Sequence, residues 1–351
     1  MTTYNMRIIQ QILDVVTEAI THDSRNTHNE QTWVVFGASG FVGRWLTLLG
    51  QSIKDRGIAP VHVAAISRNP IGARRKILEL FPPDIPLPVI QTYKDFFDFN
   101  PKFPLFSNNT TVFHAATSSD PSAADTRTSF DLTEGLLKWV QKHPHTNIIH
   151  LSSGAVYDVD PGRNLPIQES DRIRDINSNL NDYQWTKISI EESLKRAISE
   201  GHTKGVNARL FAFLGPGFPL SGHFAASRFM TAAMNGSDIE IAGNPATTRS
   251  YMSPQDLLIW LAKIWLNIDS LNGEALNIGS EVPVTMLELA ETFQCTFGNG
   301  RVFLSEDSPK TSATHYFPST SKIKSLISLP RLLEFNQSII QWKSVLEVGR
   351  N

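Results

Sequence analysis

Cysteine is almost missing from these 351 residues: Cys295 stands alone, so no disulfide can form within the chain. A reducing compartment suits that composition. Flanked by Thr292, Phe293 and Gln294, the thiol reads as buried packing. Neither sign of charge is in excess, since 32 basic residues face 34 acidic ones for a formal net charge of −2. No nucleic-acid-binding surface is expected from that balance, and an anionic ligand would have to be held by local charges. No apolar run approaches the roughly 18 residues from which a membrane-spanning helix is read. The first residues show no secretory succession of basic, apolar and small residues, and a cytoplasmic protein is expected. His143 and His145 flank Pro144 without neighbouring acids, a spacing that suggests no metal site. Internal repeats and low-complexity tracts are lacking as well.

Apolar residues are plentiful, at 41% against 19% charged, enough for one large α/β domain and a smaller lobe. Residues 1–31 read as an N-terminal helical extension and linker. Ile8, Ile9, Ile12, Leu13, Val16, Ala19 and Ile20 recur there at helical spacing, and 21–31 is polar. With Arg7 as its only basic residue, that helix is expected to dock on the protein's own body or on a second subunit, not on a membrane. From Thr32 the pattern alternates, with strands at 33–36, 61–66, 86–90, 111–114, 147–151 and 206–213 and helices at 41–51 and 124–142. That order predicts βαβ units around a parallel sheet over 32–214. Past the breaker-rich stretch 214–219, helices are expected at 225–234, 254–267 and 285–293. The segment 250–270 is read as returning to the main domain, and 215–351 mainly as a substrate-binding lobe over the carboxyl ends of the strands.

The first strand, Trp33–Phe36, runs into Gly37-Ala38-Ser39-Gly40-Phe41-Val42-Gly43 and then into a helix. Three glycines three apart at a strand-to-helix turn permit the tight turn, the approach of a pyrophosphate and close helix packing. Backbone N–H groups at the helix start would hold the phosphates. Gly37, Ser39, Gly40, Phe41, Val42 and Gly43 are therefore candidate dinucleotide-binding residues. The fold class expected is α/β, a Rossmann-type doubly wound parallel sheet with a smaller C-terminal lobe. The second strand ends in Ser67-Arg68-Asn69 with no acid to take a ribose hydroxyl. Ser67 and Arg68 can instead receive a 2′-phosphate, and Asn69 adds hydrogen-bonding groups, so NADP(H) is favoured over NAD(H).

Tyr183 and Lys187 stand four apart, on one face of a helix. A free tyrosine has a pKa of about 10, and a neighbouring ammonium would lower it and prepare the phenol for proton transfer. Ser153 lies in Leu151-Ser152-Ser153-Gly154-Ala155-Val156-Tyr157, at the end of the fifth strand and beside the expected nicotinamide. There its hydroxyl can steady a substrate oxygen. Ser153, Tyr183 and Lys187 are the candidate catalytic residues.

With these motifs in this order, the chain resembles the extended short-chain dehydrogenase/reductase superfamily over roughly residues 32–290. The similarity is to its sugar-nucleotide epimerase, dehydratase and reductase branch. Further landmarks are His114-Ala115-Ala116, Ala208-Arg209-Leu210-Phe211 and Arg249-Ser250-Tyr251. The resemblance implies that Ala115, Ala116 and Thr117 lie along the cofactor and that Arg249 holds a nucleotide-sugar diphosphate. It implies a structural acid at Asp256 and a homodimer paired through helices of the main domain. The 4,6-dehydratases of the branch carry an Asp-Glu pair directly after the catalytic Ser or Thr, where this chain has Gly154 and Ala155. Ala212 replaces an Asn often found after the Arg-x-Phe strand. The expected function is an NADP(H)-dependent reductase of a nucleotide-linked 4-keto-deoxysugar. Alternatives are a sugar-nucleotide epimerase, a reductase of a small non-sugar carbonyl, and a non-catalytic cofactor-sensing protein on the same fold. His223, in the expected lobe, reads as a surface or capping residue.

Overall fold

The structure, a computed structural model, describes residues 4–24, 29–98, 109–116, 123–143, 145–160, 162–220, 224–305 and 312–346. The first half of the chain runs α1 (Met6–Ser24), β1 (Gln31–Phe36), α2 (Phe41–Asp55), β2 (Val61–Ile66), α3 (Pro70–Leu78), β3 (Val89–Gln91), α4 (Tyr93–Phe97), β4 (Thr110–His114), α5 (Ala123–Val140) and β5 (Thr146–Ser153). A 3-10 turn at Gly154–Val156 leads on to α6 (Asp182–Ser199), β6 (Lys204–Leu210), β7 (Ala212–Phe213), α7 (Ala225–Met234), β8 (Ile239–Ile241), β9 (Thr248–Arg249) and β10 (Tyr251–Met252). The last part holds α8 (Pro254–Leu266), β11 (Ala275–Ile278), β12 (Val284–Thr285), α9 (Met286–Phe297), β13 (Val302–Leu304), β14 (His315–Tyr316), α10 (Ser321–Leu326) and α11 (Phe335–Leu346).

The main sheet has seven strands in the order β11-β6-β5-β4-β1-β2-β3, all parallel. Side chains alternate between its faces. Trp33 and Val35 of β1 pack into the core formed with α1, α2 and α8, while Val34 and Phe36 pack on the opposite face with α4, α5 and α6. Burial on both faces explains why the strands are apolar runs and not alternating patterns. Phe36 is in register with Ile66 of β2 and His114 of β4, so the carboxyl ends open on one edge. The strand order reverses between β1 and β4, and open α/β sheets bind ligands at such a switch point.

Helix α1 buries Ile9, Ile12, Leu13, Val16 and Ile20 against α8, α2 and α11. Arg56 pairs with Asp14 at 2.5 Å, and Lys263 pairs with Asp23. The extension thus docks on the protein's own body. Two later segments also lie in the main layer: α8 contributes Leu257, Trp260, Leu261 and Ile264 to the same core as β1, and β11 extends the sheet beside β6. A separate core joins α7, α9 and α11 through Phe229, Met230, Phe293 and Trp342.

Several elements differ from the sequence reading for local reasons. The third strand occupies 89–91, not 86–90, because Pro86 and Pro88 have no N–H to give a ladder. The sixth strand breaks at Phe211, whose N–H donates to Ile278 O at 3.0 Å before β7 pairs with β10. Helix α3 starts at an Asn69 cap followed by Pro70, and α4 at a Thr92/Asp95 capping box. Cys295 is exposed, contrary to the packing expected of it, because α9 turns Leu289, Ala290 and Phe293 inward and 295 away. No described helix is long and apolar enough to cross a membrane.

Candidate active site

The turn after β1 is built by contact. Gly37 has φ 80°, and a Cβ there would lie 2.6 Å from the Ala115 carbonyl oxygen and 2.9 Å from Ala116 Cα. Only glycine fits. The loop therefore rests on the segment after β4, which places Ala115 and Ala116 beside it; Thr117 lies outside the described residues. A Cβ at Gly43 would overlap the Gly37 carbonyl, so the third glycine lets α2 close on the turn. Gly40 caps α2 without a side chain, and the first turn of α2 carries no acid. The amides of Phe41, Val42 and Gly43 thus begin a helix whose positive end is free of competing carboxylates. Ser39 and Ser67 hydroxyls meet at 3.4 Å. Arg68 is exposed beside Tyr93, whose phenol lies near the Gly37 backbone and is pushed up to about 12 by burial. The Asn69 side chain accepts from Gly72 N–H at 2.9 Å; capping α3 uses the oxygen that the sequence offered to a cofactor. These features fit a dinucleotide: a glycine cradle with no room for Cβ atoms, a side-chain-free helix start, and no acid after β2.

Ser153 ends β5 and caps the 3-10 turn, accepting from Ala155 N–H at 3.1 Å. Tyr183 stands in the first turn of α6, after an Asn181/Gln184 capping box, with Lys187 one turn further in. Ser153 lies near enough to the Tyr183 phenol to act on its ionisation. Tyr183 is half-buried, whereas Lys187 is 4% exposed. Lys187 Nζ donates to Leu151 O at 2.5 Å and lies 5.7 Å from the Tyr183 ring centroid. Burial pushes Lys187 down to about 7 against the pull of Glu191. Burial raises the Tyr183 phenol, and the Ser153 side chain opposes that rise. The lowering expected from Lys187 is not seen, because the ammonium is drawn under the sheet edge to the Leu151 carbonyl.

Beneath these groups runs a buried polar chain. Ser152 Oγ donates to Glu191 Oε1 at 2.5 Å, and Glu191 takes Arg209 Nη2 at 2.7 Å and Nε at 3.0 Å. Arg209 also donates to Tyr157 Oη at 3.0 Å, which donates to Asn277 Oδ1 at 2.7 Å. The chain clamps β5, α6, β6 and β11 together. His114 and His150 face each other through Nδ1 at 3.1 Å, with Thr133 Oγ1 3.1 Å from His114 Nε2. Burial, helped by the Lys187 charge, pushes His114 down to about 3 and His150 well below its usual range, so both are neutral.

Two residues that the sequence did not single out reach this region. Tyr93 flanks the glycine turn, and Tyr316 of β14 packs on Phe211 at a centroid distance of 4.7 Å with its hydroxyl against Gly154. Nothing in the pattern around either marks it, since β14 is two residues long and α4 only five. Arg249 sits opposite Tyr316 in the β9–β14 pair, 5.7 Å from its ring centroid. Its Nη1 donates to Thr248 O at 2.7 Å and Thr314 O at 3.3 Å. Arg249 therefore lies beside Tyr316, next to the candidate groups around Ser153. Asp256 accepts from Ser253 Oγ at 2.8 Å and Leu333 N–H at 3.1 Å, which fastens the start of α8. His223 lies outside the described residues. Among the described residues no group of three or more His, Cys, Asp or Glu could hold a metal ion.

Known proteins resemble this chain along most of its length. UDP-N-acetyl-alpha-D-glucosaminuronate decarboxylase of Bacillus cytotoxicus is 26% identical over 284 residues, 77% of this chain and 81% of the relative. An epimerase of Methanothermobacter thermautotrophicus shares the fold with a TM-score of 0.73 at 20% identity, covering 92% of this chain and 94% of that one. UDP-glucuronic acid 4-epimerase of Bacillus cereus shares it with a TM-score of 0.71 at 17% identity, covering 90% and 98%. The family model described as "NAD dependent epimerase/dehydratase family" matches residues 33–279. On that match, over more than half its length, the chain belongs to the NAD dependent epimerase/dehydratase family, enzymes of the extended short-chain dehydrogenase/reductase type.

Proposed function

We propose that this enzyme is an NADP(H)-dependent reductase of a nucleotide-linked 4-keto-deoxysugar. One observation carries the reading. Ser153 at the end of β5 and Tyr183 in the first turn of α6 stand close together, able to exchange a proton with a carbinol oxygen, while the positions after Ser153 are Gly154 and Ala155. No carboxylate there can take a proton from carbon, which speaks for simple hydride and proton exchange and against 4,6-elimination. The glycine turn, Ser39, Ala115, Ala116 and Thr117 would hold the dinucleotide, with Ser67 and Arg68 on a 2′-phosphate. When bound, its nicotinamide supplies the hydride. Tyr183 gives its proton to the substrate oxygen, Ser153 steadies that oxygen, and Lys187 reaches the ribose and supports the phenolate that forms. Arg249 would turn toward a diphosphate. Residues 32–214 are the cofactor domain in this reading, and 215–351 mainly the substrate lobe. A homodimer through α5 and α6 belongs to it as well: the tilted rings of Phe130 and Trp185 meet there with centroids 5.1 Å apart, and Trp185 is still 38% exposed. A monomeric mass in solution would exclude the dimer. A cytoplasmic location completes the picture.

The second reading is an epimerase that keeps its cofactor and returns the hydride to the other face. The 4-epimerases of like fold and the same Ser153–Tyr183 pair support it. Titration with NADPH and NADH, beside Arg68→Ala, separates the two. The reductase predicts NADPH binding that weakens tenfold or more in the variant, as expected for a lost charged hydrogen bond, with NADH binding unchanged. Cofactor that stays bound through purification, or tight NADH binding indifferent to Arg68, would establish the epimerase instead. In either case Tyr183→Phe should cut turnover by about 10²–10⁴ and leave cofactor affinity intact.

A further inference from the structure

We propose that the cleft between α1 and α8 is a binding site for a small organic cation with an apolar body, held by the Asp256 carboxylate. The cleft holds about 360 Å³, a size at which small-molecule sites begin. Val15 and Ala19 of α1 line it, with Asp256 and Ile259 of α8 and the segment 330–334. The family match spans 33–279, so α1 and the 330–334 segment lie outside it. None of the cofactor-binding or catalytic candidates lines this cleft, and the site is independent of the substrate assignment.

Asp256 is the reason for a cation. The residue is 3% exposed, and an ionised carboxylate offers about four lone-pair sites. Ser253 Oγ and Leu333 N–H both use Oδ2, at 2.8 Å and 3.1 Å, and no described donor meets Oδ1. Nor is Oδ1 sealed from solvent: it opens on the cleft that Asp256 lines. Burial pushes this carboxyl up to about 6 with no cation to draw it back, so it is charged at neutral pH. Other polar groups of the lining are engaged. Gln255 Oε1 accepts from Gln341 Nε2 at 3.0 Å, and Gln337 Oε1 accepts from Glu334 N–H at 3.2 Å. Arg331 is 86% exposed and pairs with Glu334 at 2.8 Å, so it does not fill the cleft. A buried charge without a counter-ion is costly, and a partly dry cleft holds a cation more strongly than water does. An ammonium supplies the donor that Oδ1 lacks, while its alkyl body covers Val15, Ala19 and Ile259.

The test uses the full chain, with n-butylammonium as the probe and n-butanol as its neutral counterpart, at fixed salt. The Ile259 methyl signal, assigned with Ile259→Val, is followed by carbon-13 NMR. Butylammonium should shift it saturably. Butanol should bind tenfold or more weakly, as expected for a lost charged hydrogen bond. Asp256→Asn keeps an oxygen for Ser253 and Leu333 but loses the charge, and should weaken butylammonium by a similar factor. Val15→Lys carries the test should Asp256→Asn fold poorly, since Val15 is 44% exposed. Its tethered ammonium should take Asp256 and abolish the shift at concentrations that saturate the parent protein. An absent or unsaturable shift, butanol binding as well as butylammonium, or unchanged binding in either folded variant overturns the proposal.

Discussion

Glu191 supports the site without facing it. It holds Arg209 with two oxygens, accepts a hydrogen bond from Ser152, and is the charge that keeps Lys187 from falling further. Both side chains of the Glu191–Arg209 pair are almost wholly buried, at 10% and 8% exposed. Removing one partner of such a pair leaves the other uncompensated, at a cost of about 3–5 kcal/mol. Glu191→Gln is expected to lose stability of that order in a denaturant titration, and a loss under about 1 kcal/mol would show the pair to be idle. At this scale the sequence was legible where one chain segment carried the signal. The four-residue spacing of Tyr183 and Lys187, and Ser153 at a strand end, were enough to draw those groups together. Tyr316 was not legible, because its approach to Ser153 depends on the pairing of β14 with β9, which no local pattern announces. Asn69 misled for a related reason: its amide could serve a cofactor or a helix, and the Pro70 start of α3 takes it.

Among the elements, α1 is the addition that the main sheet does not require, yet it is fastened like a core helix. Leu13 is fully buried among α1, α2 and α8 residues. Leu13→Ala should cost about 2–5 kcal/mol by cavity formation, read as a lower denaturation midpoint. Because α1 docks within the chain, the same variant should leave the oligomeric mass unchanged in sedimentation; a change of mass would place α1 in a subunit interface. Its helical spacing made α1 readable, but its partners α8 and α11 lie at the far end of the sequence and were not. The long parallel strands were readable as apolar runs. Strand β11 was not, since four residues flanked by loops do not distinguish a main-sheet strand from a lobe strand.

The whole molecule should respond to acid through its buried imidazoles. His114, at about 3 against a free value of 6.5, and His150, also well below, bind protons less readily folded than unfolded. For a base held down in the fold, stability is complete above about 6.5 and is lost as pH falls toward the folded value. Each histidine contributes up to ~1.4 kcal/mol per pH unit in that window. The denaturant midpoint should therefore fall from about pH 6.5 downward, while Lys187, held down to about 7 from 10.5, makes it rise with pH above neutrality. A midpoint constant down to pH 5 would mean that the pair accepts charge in place. The overall α/β plan followed from the alternation of strand and helix and from the glycine turn. The sharing of one core by the first helix and α8 did not, because it is a matter of which distant faces meet. That closure has a consequence for synthesis. Asn5 N–H donates to Val345 O at 2.6 Å, so the first helix meets the last. On the ribosome α1 emerges well before α8 and α11, and until they follow only α2 is at hand to cover its apolar stripe. The order of translation thus runs against the order of burial, and α1 is fully housed long after it is made.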